Sequence, residues 1–233
     1  MRGEEYERYS QLLPRKSDSL VLSSDECRLC SDAELKFVGT NIIWGNGPCP
    51  AKIMIIGKDS AGESREEPLW KGSRLTGVPL TNKKSGAKLR ILLKKAGIDP
   101  FLVFITNTVK CNVGYDDRKL TYSALAPICI THLRAEISIV RPRVIIALGV
   151  DAARRVAQLW RNPALFCFPD RDCTETLADH GRLPFRGMLS EVTGDTRADA
   201  VVHVFGAKHP SYVEGQREKI YIKNLETMSN VAG

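Results

Sequence analysis

"KIMIIGKDSAG", Lys52 to Gly62, decides the fold. Its first half is a continuous apolar run, the mark of a strand buried on both faces. At Gly57 the run breaks into small and polar residues, so the strand ends in a turn. Asp59 stands in that turn. It reads either as an Asx-turn or helix-cap residue, or as a carboxylate aimed into a cleft.

Outward from this strand the chain alternates. "GAKLRILLKKAG" (Gly86 to Gly97) spaces Leu89, Leu92, Leu93 and Ala96 as a helix does. "LVFITN" (Leu102 to Asn107) is a second strand, and "SALAPICITHLRAEISIV" (Ser123 to Val140) a helix with Pro127 in its early turns. "RPRVIIALG" supplies a third strand, "DAARRVAQLW" a helix, "AVVHVFG" a fourth strand and "REKIYIKNLETM" a last helix. Strands separated by helices imply βαβ units, hence an α/β fold around a mostly parallel four-stranded sheet covered on both faces. Residues 161–200 carry no clear period and read as an irregular surface excursion. Residues 1–24 read as a polar extension, and 25–233 as a single domain.

The bulk numbers narrow the function classes. A 43% hydrophobic share supports a sizeable core and excludes general disorder. No stretch reads as the roughly 20 apolar residues of a membrane span, and "MRGEEYERYS" carries no secretory pattern. The expectation is a cytoplasmic monomer with no membrane partner. A net charge of +7 favours an anionic partner, nucleic acid first. Seven cysteines without an export signal point to reduced thiols rather than a disulfide framework.

In open α/β sheets the ligand crevice lies at the carboxyl ends of the strands. Three short stretches fall there: "GKDSAG", "TNTVKC" and "AKHPSY". Each holds a residue of chemical interest. Asn107 carries an amide that both donates and accepts, suited to a base edge, or is a strand-end turn residue. His209 precedes Pro210, which stiffens its loop, and Ser211, which suits a phosphate; Tyr212 extends the same surface. "TNKKSGAK" puts Lys83, Lys84 and Lys88 at a helix start, either to hold a nucleic-acid backbone or as an ordinary solvated face.

Cys27 and Cys30 form "CRLC". With Cys111 and Cys129 they make four thiols, enough for tetrahedral zinc or for a [4Fe–4S] cluster. Spacing does not separate the two, and Cys111 and Cys129 also read as small buried hydrophobes.

The order "CRLC", "KIMIIG", "TNTVKC", Cys129 before "RPRVIIALG", then "HPS" resembles the iron–sulfur (family 4) branch of the uracil-DNA glycosylase superfamily, from about Cys27 to about Gln216. The resemblance implies a three-layer αβα sandwich and a structural [4Fe–4S] cluster on Cys27, Cys30, Cys111 and Cys129. It implies an enzyme that flips a pyrimidine out of DNA and hydrolyses its N-glycosidic bond, leaving an abasic site without lyase chemistry. Asn107 would read the base and His209 would bond pyrimidine O2; Asp59 is read as the catalytic carboxylate from its place at a strand end and from its likeness to the acid of the superfamily's main branch. Gly57, Ala61 and Leu80 would shape the base pocket; Lys83, Lys84, Lys88, Ser211 and Tyr212 are the DNA-contact candidates read from their own positions, the lysines with the solvated face as the equal alternative.

The chain departs from that pattern in three places. The branch usually reads Gly-Glu-Ala-Pro-Gly where this chain has Gly57-Lys58-Asp59-Ser60-Ala61, and Asp59 looks like the acid of the main family's Gly-Gln-Asp-Pro-Tyr motif. Leu80 in "GVPL" stands where relatives carry a stacking aromatic. Ala61 stands where the main family's Tyr blocks substituents on pyrimidine C5. These departures favour a pocket for a C5-substituted or bulky modified pyrimidine, as in phage DNA, over plain uracil. A non-catalytic iron–sulfur nucleic-acid-binding protein of the same fold is the alternative function.

Overall fold

Ile53–Gly57 forms strand β1, all five residues buried. In the computed structural model, which describes residues 43–59, 79–80, 85–110, 118–160, 185–194 and 200–233, it lies inside a five-stranded sheet. The elements that follow are α1 (Ser85–Lys95), β2 (Val103–Asn107), α2 (Arg118–Val140), β3 (Val144–Leu148) and α3 (Val150–Leu159). Then come β4 (Phe185–Met188), the single-turn α4 (Leu189–Thr193), β5 (Val201–Ala207) and α5 (Gln216–Ala232). The strand order is β2-β1-β3-β5-β4. The first four strands in that order run parallel, and β4 is antiparallel to β5.

The period of two along β1 sorts its side chains into two layers. Met54 and Ile56 join Phe104, Ile145 and Ala147 beneath Leu133, Ile137 and Val140 of α2 and the apolar stripe of α3. Ile53 and Ile55 join Ile105 and Ile146 on the opposite face, under Leu89, Leu92 and Leu93 of α1 and Tyr221, Leu225 and Met228 of α5. The helical residues recur at three- and four-residue steps, which is why each helix has one stripe to bury. The result is the expected αβα sandwich.

Two expectations need correction. The sheet has five strands, not four, because β4 and α4 form within the tract read as irregular. "FRGM" is too short to show a period, and its strand character comes from pairing with β5. Gly187 is needed there: a Cβ at that position would meet the Trp160 indole at 2.2 Å, while Trp160 Nε1 donates to the Met188 carbonyl at 3.1 Å. Helix α2 also starts at Arg118, ahead of the expected Ser123.

Tyr122–Val140 of α2 is long and apolar enough, by composition, to cross a membrane. It is a core helix here. Leu133, Ile137 and Val140 pack on the sheet, and Glu136 makes a buried ion pair. The extension 1–24, Ala61, Lys83, Lys84, Cys27, Cys30 and Cys111 lie outside the described residues.

Candidate active site

Parallel strands in register bring their carboxyl ends into one row. Gly57 pairs with Asn107, and Leu148 of β3 pairs with Ala207 of β5. At roughly 4.8 Å per strand, the β2 and β5 columns stand roughly 14 Å apart, with β1 and β3 between them. Asp59 follows β1 by two residues and His209 follows β5 by two. The sheet therefore brings Asp59, Asn107 and His209 to a single edge, with His209 across β3 from the other two.

Asn107 ends β2 with 1% of its surface exposed. Neither its Nδ2 nor its Oδ1 has a hydrogen-bond partner among the described residues. Burying an amide without partners costs on the order of 1–3 kcal/mol, so folded proteins rarely tolerate it. Its main chain, by contrast, is tightly held. The next residue, Thr108, donates its N–H to the Gly57 carbonyl at 2.9 Å and its hydroxyl to the Lys58 carbonyl. Val109 N–H donates to the same Lys58 carbonyl at 3.0 Å.

Gly57 and Leu80 wall this amide. A Cβ on Gly57 would lie 2.4 Å from Asn107 Oδ1 and 3.6 Å from Leu80 Cδ1. Leu80 is buried and has φ of 52°, in the left-handed region that bulky residues avoid. Arg90 of α1 holds it there by donating to the Leu80 carbonyl at 2.7 Å and to that of Gly86 at 3.1 Å. Backbone strain of about 1–3 kcal/mol at one residue persists only when its surroundings impose it.

Asp59 is buried at 7% exposure. Its carboxylate is near enough to Tyr122 to influence the phenol, which is pushed up to about 12. Burial is the main cause, Asp151 and Asp59 add to it, and a hydrogen bond with Thr108 and the Arg155 charge oppose it. Tyr122 anchors a small group that the sequence reading missed. Its hydroxyl lies 3.0 Å from Thr108 Oγ1. Lys58 sits over its ring at 4.5 Å and pairs with Asp151 at 2.7 Å. Only the apolar residues around Tyr122 were legible as a helix; its hydroxyl partner belongs to another element.

His209 caps the short turn Pro210–Tyr212. Ser211 N–H donates to its Nδ1 at 3.4 Å, and Ser211 Oγ lies 2.7 Å from the same nitrogen. A backbone N–H only donates, so Nδ1 accepts and the neutral ring carries its proton on Nε2. Gly149, with φ of 85°, brings the end of β3 close, 3.8 Å from the His209 Cβ to a Cβ placed there. Tyr212 is 68% exposed and its ring meets His209 edge-on at 6.1 Å. Lys88 is engaged elsewhere: with Lys95 it clamps Glu218 of α5, at 2.6 Å and 2.5 Å. Hydrogen bonds from Lys88 and then Lys95 hold that carboxyl down at about 2.

Cys129 is buried in a satellite cluster with Val109, Tyr122, Leu125 and Ala126. Val109 brings the β2 exit against α2 there; Cys111, two residues further along the sequence, is outside the described residues.

The description "Uracil DNA glycosylase superfamily" belongs to the family model that matches residues 44–231. The chain is 31% identical over 132 residues to a type-4 uracil-DNA glycosylase of Saccharolobus solfataricus, covering 57% of this chain and 56% of that protein. It is 30% identical over 137 residues to the type-4 uracil-DNA glycosylase of Thermotoga maritima, covering 59% and 65%. A third, from Pyrobaculum aerophilum, is 28% identical over 145 residues, covering 62% and 65%. The matches thus span less than two thirds of each relative's own length. The chain belongs to the uracil DNA glycosylase superfamily, and the resemblance carried by its cysteines and strand-end motifs is borne out.

Proposed function

We propose that this member of the uracil DNA glycosylase superfamily is a monofunctional DNA glycosylase acting on a flipped pyrimidine. One observation carries the reading. A buried amide with donor and acceptor both unpartnered among the described residues sits at the ligand end of a parallel sheet. An incoming base edge would supply what Asn107 lacks.

In the reaction the C1′–N1 bond breaks and its electron pair stays with the base. A water oxygen bonds to C1′, and its protons go to the product sugar hydroxyl and, through the site, to the departing base. Asp59, buried beside the row of strand ends, faces the developing oxocarbenium charge and orients the water. His209 donates from Nε2 to pyrimidine O2 as negative charge builds there. Asn107 selects the base edge, and Leu80 and Gly57 set the pocket wall. Lys58 is engaged with Asp151 and the Tyr122 ring, which supports hydrolysis without a Schiff base. Ser211 and Tyr212, both exposed beside His209, suit the DNA backbone.

The preferred base in this reading is a C5-substituted or bulky pyrimidine rather than plain uracil: aliphatic Leu80 stacks on a base less well than a flat ring, and the small Ala61 stands where a Tyr would block C5 substituents. Foreign phage DNA would be one source of such a base. Duplexes carrying uracil, hydroxymethylated and glucosylated pyrimidines test this, read as abasic sites cleaved by alkali. Release confined to uracil sinks the modified-base reading. Release from none sinks the glycosylase, and retained DNA binding would then favour the non-catalytic alternative.

A [4Fe–4S] cluster on Cys27, Cys30, Cys111 and Cys129 belongs to the same proposal. Four thiolates suit it chemically, and Cys129 lies buried against the segment leading to Cys111. Bound there, it would act as a covalent clasp between the N-terminal segment and the sandwich, and no step of the hydrolysis would run through it. A brown protein whose iron content falls on Cys129→Ser supports it; zinc in stoichiometric amount overturns it.

A further inference from the structure

Beneath the end of β2 lies an ion pair that the reaction above does not use. Lys110 and Glu136 are 1% and 2% exposed. Lys110 Nζ donates to Thr106 Oγ1 at 2.7 Å, to the Asn107 carbonyl at 2.7 Å and to Glu136 Oε2 at 2.5 Å. An ammonium has three N–H groups, and all three are used. Glu136 Oε2 also accepts from the Thr106 hydroxyl at 2.8 Å, and Oε1 accepts from Gly45 N–H at 2.9 Å. Gly45 is required for that approach, because a Cβ there would meet the Phe104 ring at 2.3 Å.

Stability does not explain such a pair. Desolvating two charges costs about what their attraction returns, and apolar residues of similar volume often do as well or better. Its location offers another reason. Lys110 fastens the carbonyl of Asn107 and the hydroxyl of the residue before it, while Thr108 and Val109 fasten the main chain after it. The Asn107 amide is thus mounted on a backbone held from three directions, with its own polar atoms left for something else. An Asn χ2 torsion is a broad rotor, so its aim depends on how firmly its mount is held.

We propose that the Lys110–Glu136 pair is a positioning device that presets the Asn107 amide before the base arrives. This inference rests on the glycosylase reading. Neither residue touches the substrate; both act through Asn107.

The test is the double variant Lys110→Met/Glu136→Leu, which replaces both charges together and leaves neither stranded. It is expected to fold but to melt below the wild type, because the Gly45 N–H and the Thr106 hydroxyl lose their buried partners. Single-turnover base release should fall about 100-fold, the cost of misplacing a binding group by about 1 Å. KM for the duplex should stay nearly constant, and preference among pyrimidines should narrow. Thr106→Val keeps both charges and removes two bonds of the network, the one accepted from Lys110 and the one donated to Glu136; a loss of about tenfold in the same rate is expected. It carries the test if the double variant does not fold. Wild-type rate and base preference in a folded double variant, or in Thr106→Val, overturn the proposal while the glycosylase stands. A wild type that releases no base overturns the glycosylase reading, and this role with it.

Discussion

Gly57→Ala is the sharpest probe of the base-reading wall. A Cβ at this position would sit 2.4 Å from Asn107 Oδ1, against roughly 3.4 Å for ordinary contact. The amide oxygen must therefore retreat by about 1 Å, by turning off its rotamer at about 0.5–1.5 kcal/mol. Opposing this, Ala restricts the unfolded chain and returns about 0.4–1 kcal/mol, since Gly57 is not among the positive-φ glycines. Net stability should change by less than about 1 kcal/mol, a shift in Tm of a few degrees for a chain of this size. A displacement of about 1 Å in a group that binds the reacting base costs about 100-fold in rate, or about 2.7 kcal/mol of barrier. The assay pairs thermal unfolding with single-turnover abasic-site formation on the best substrate of the panel. A near-native Tm with a rate down about 100-fold is expected. A Gly57→Ala protein with undiminished base release would refute the placement of Asn107 as the base reader.

Asp59→Asn keeps size and removes charge; base release should fall by about 10²–10³ while DNA binding holds, and unchanged turnover would assign Asp59 to the turn alone. Leu80→Phe restores an aromatic to the wall, so uracil release should rise relative to bulky pyrimidines; an identical substrate ranking would remove Leu80 from the pocket. Glu218 has its pKa lowered from 4.5 to about 2, so its clamp on Lys88 and Lys95 contributes stability above about pH 4.5 and loses it as pH falls toward 2. Glu218→Gln should flatten the Tm-against-pH curve in that window, with a small amplitude that salt reduces further, and an unaltered acid limb would contradict the assignment.

The layers of this protein are legible because they depend on local periods. The two-residue alternation of Ile53 to Ile56 and the three- and four-residue steps in α1, α2 and α5 commit each side chain to a face wherever the element packs. Strand ends follow from composition too, so Asp59, Asn107 and His209 were picked out as residues at the mouth of a parallel sheet. β4 was not, because four residues around a glycine have no period and become a strand only against β5. Tyr122 and the Lys110–Glu136 pair were hidden for a related reason. Thr106 and Glu136 are 30 residues apart, and Gly45 and Glu136 are 91 apart, so their bonds leave no trace in local pattern. By itself the sequence determined which residues are apolar in which rhythm, and hence the sandwich and the edge where a site would form. The tertiary structure alone decided which polar groups in that edge find partners among the described residues and which, like the Asn107 amide, do not, because hydrogen-bond satisfaction is a property of neighbours in space.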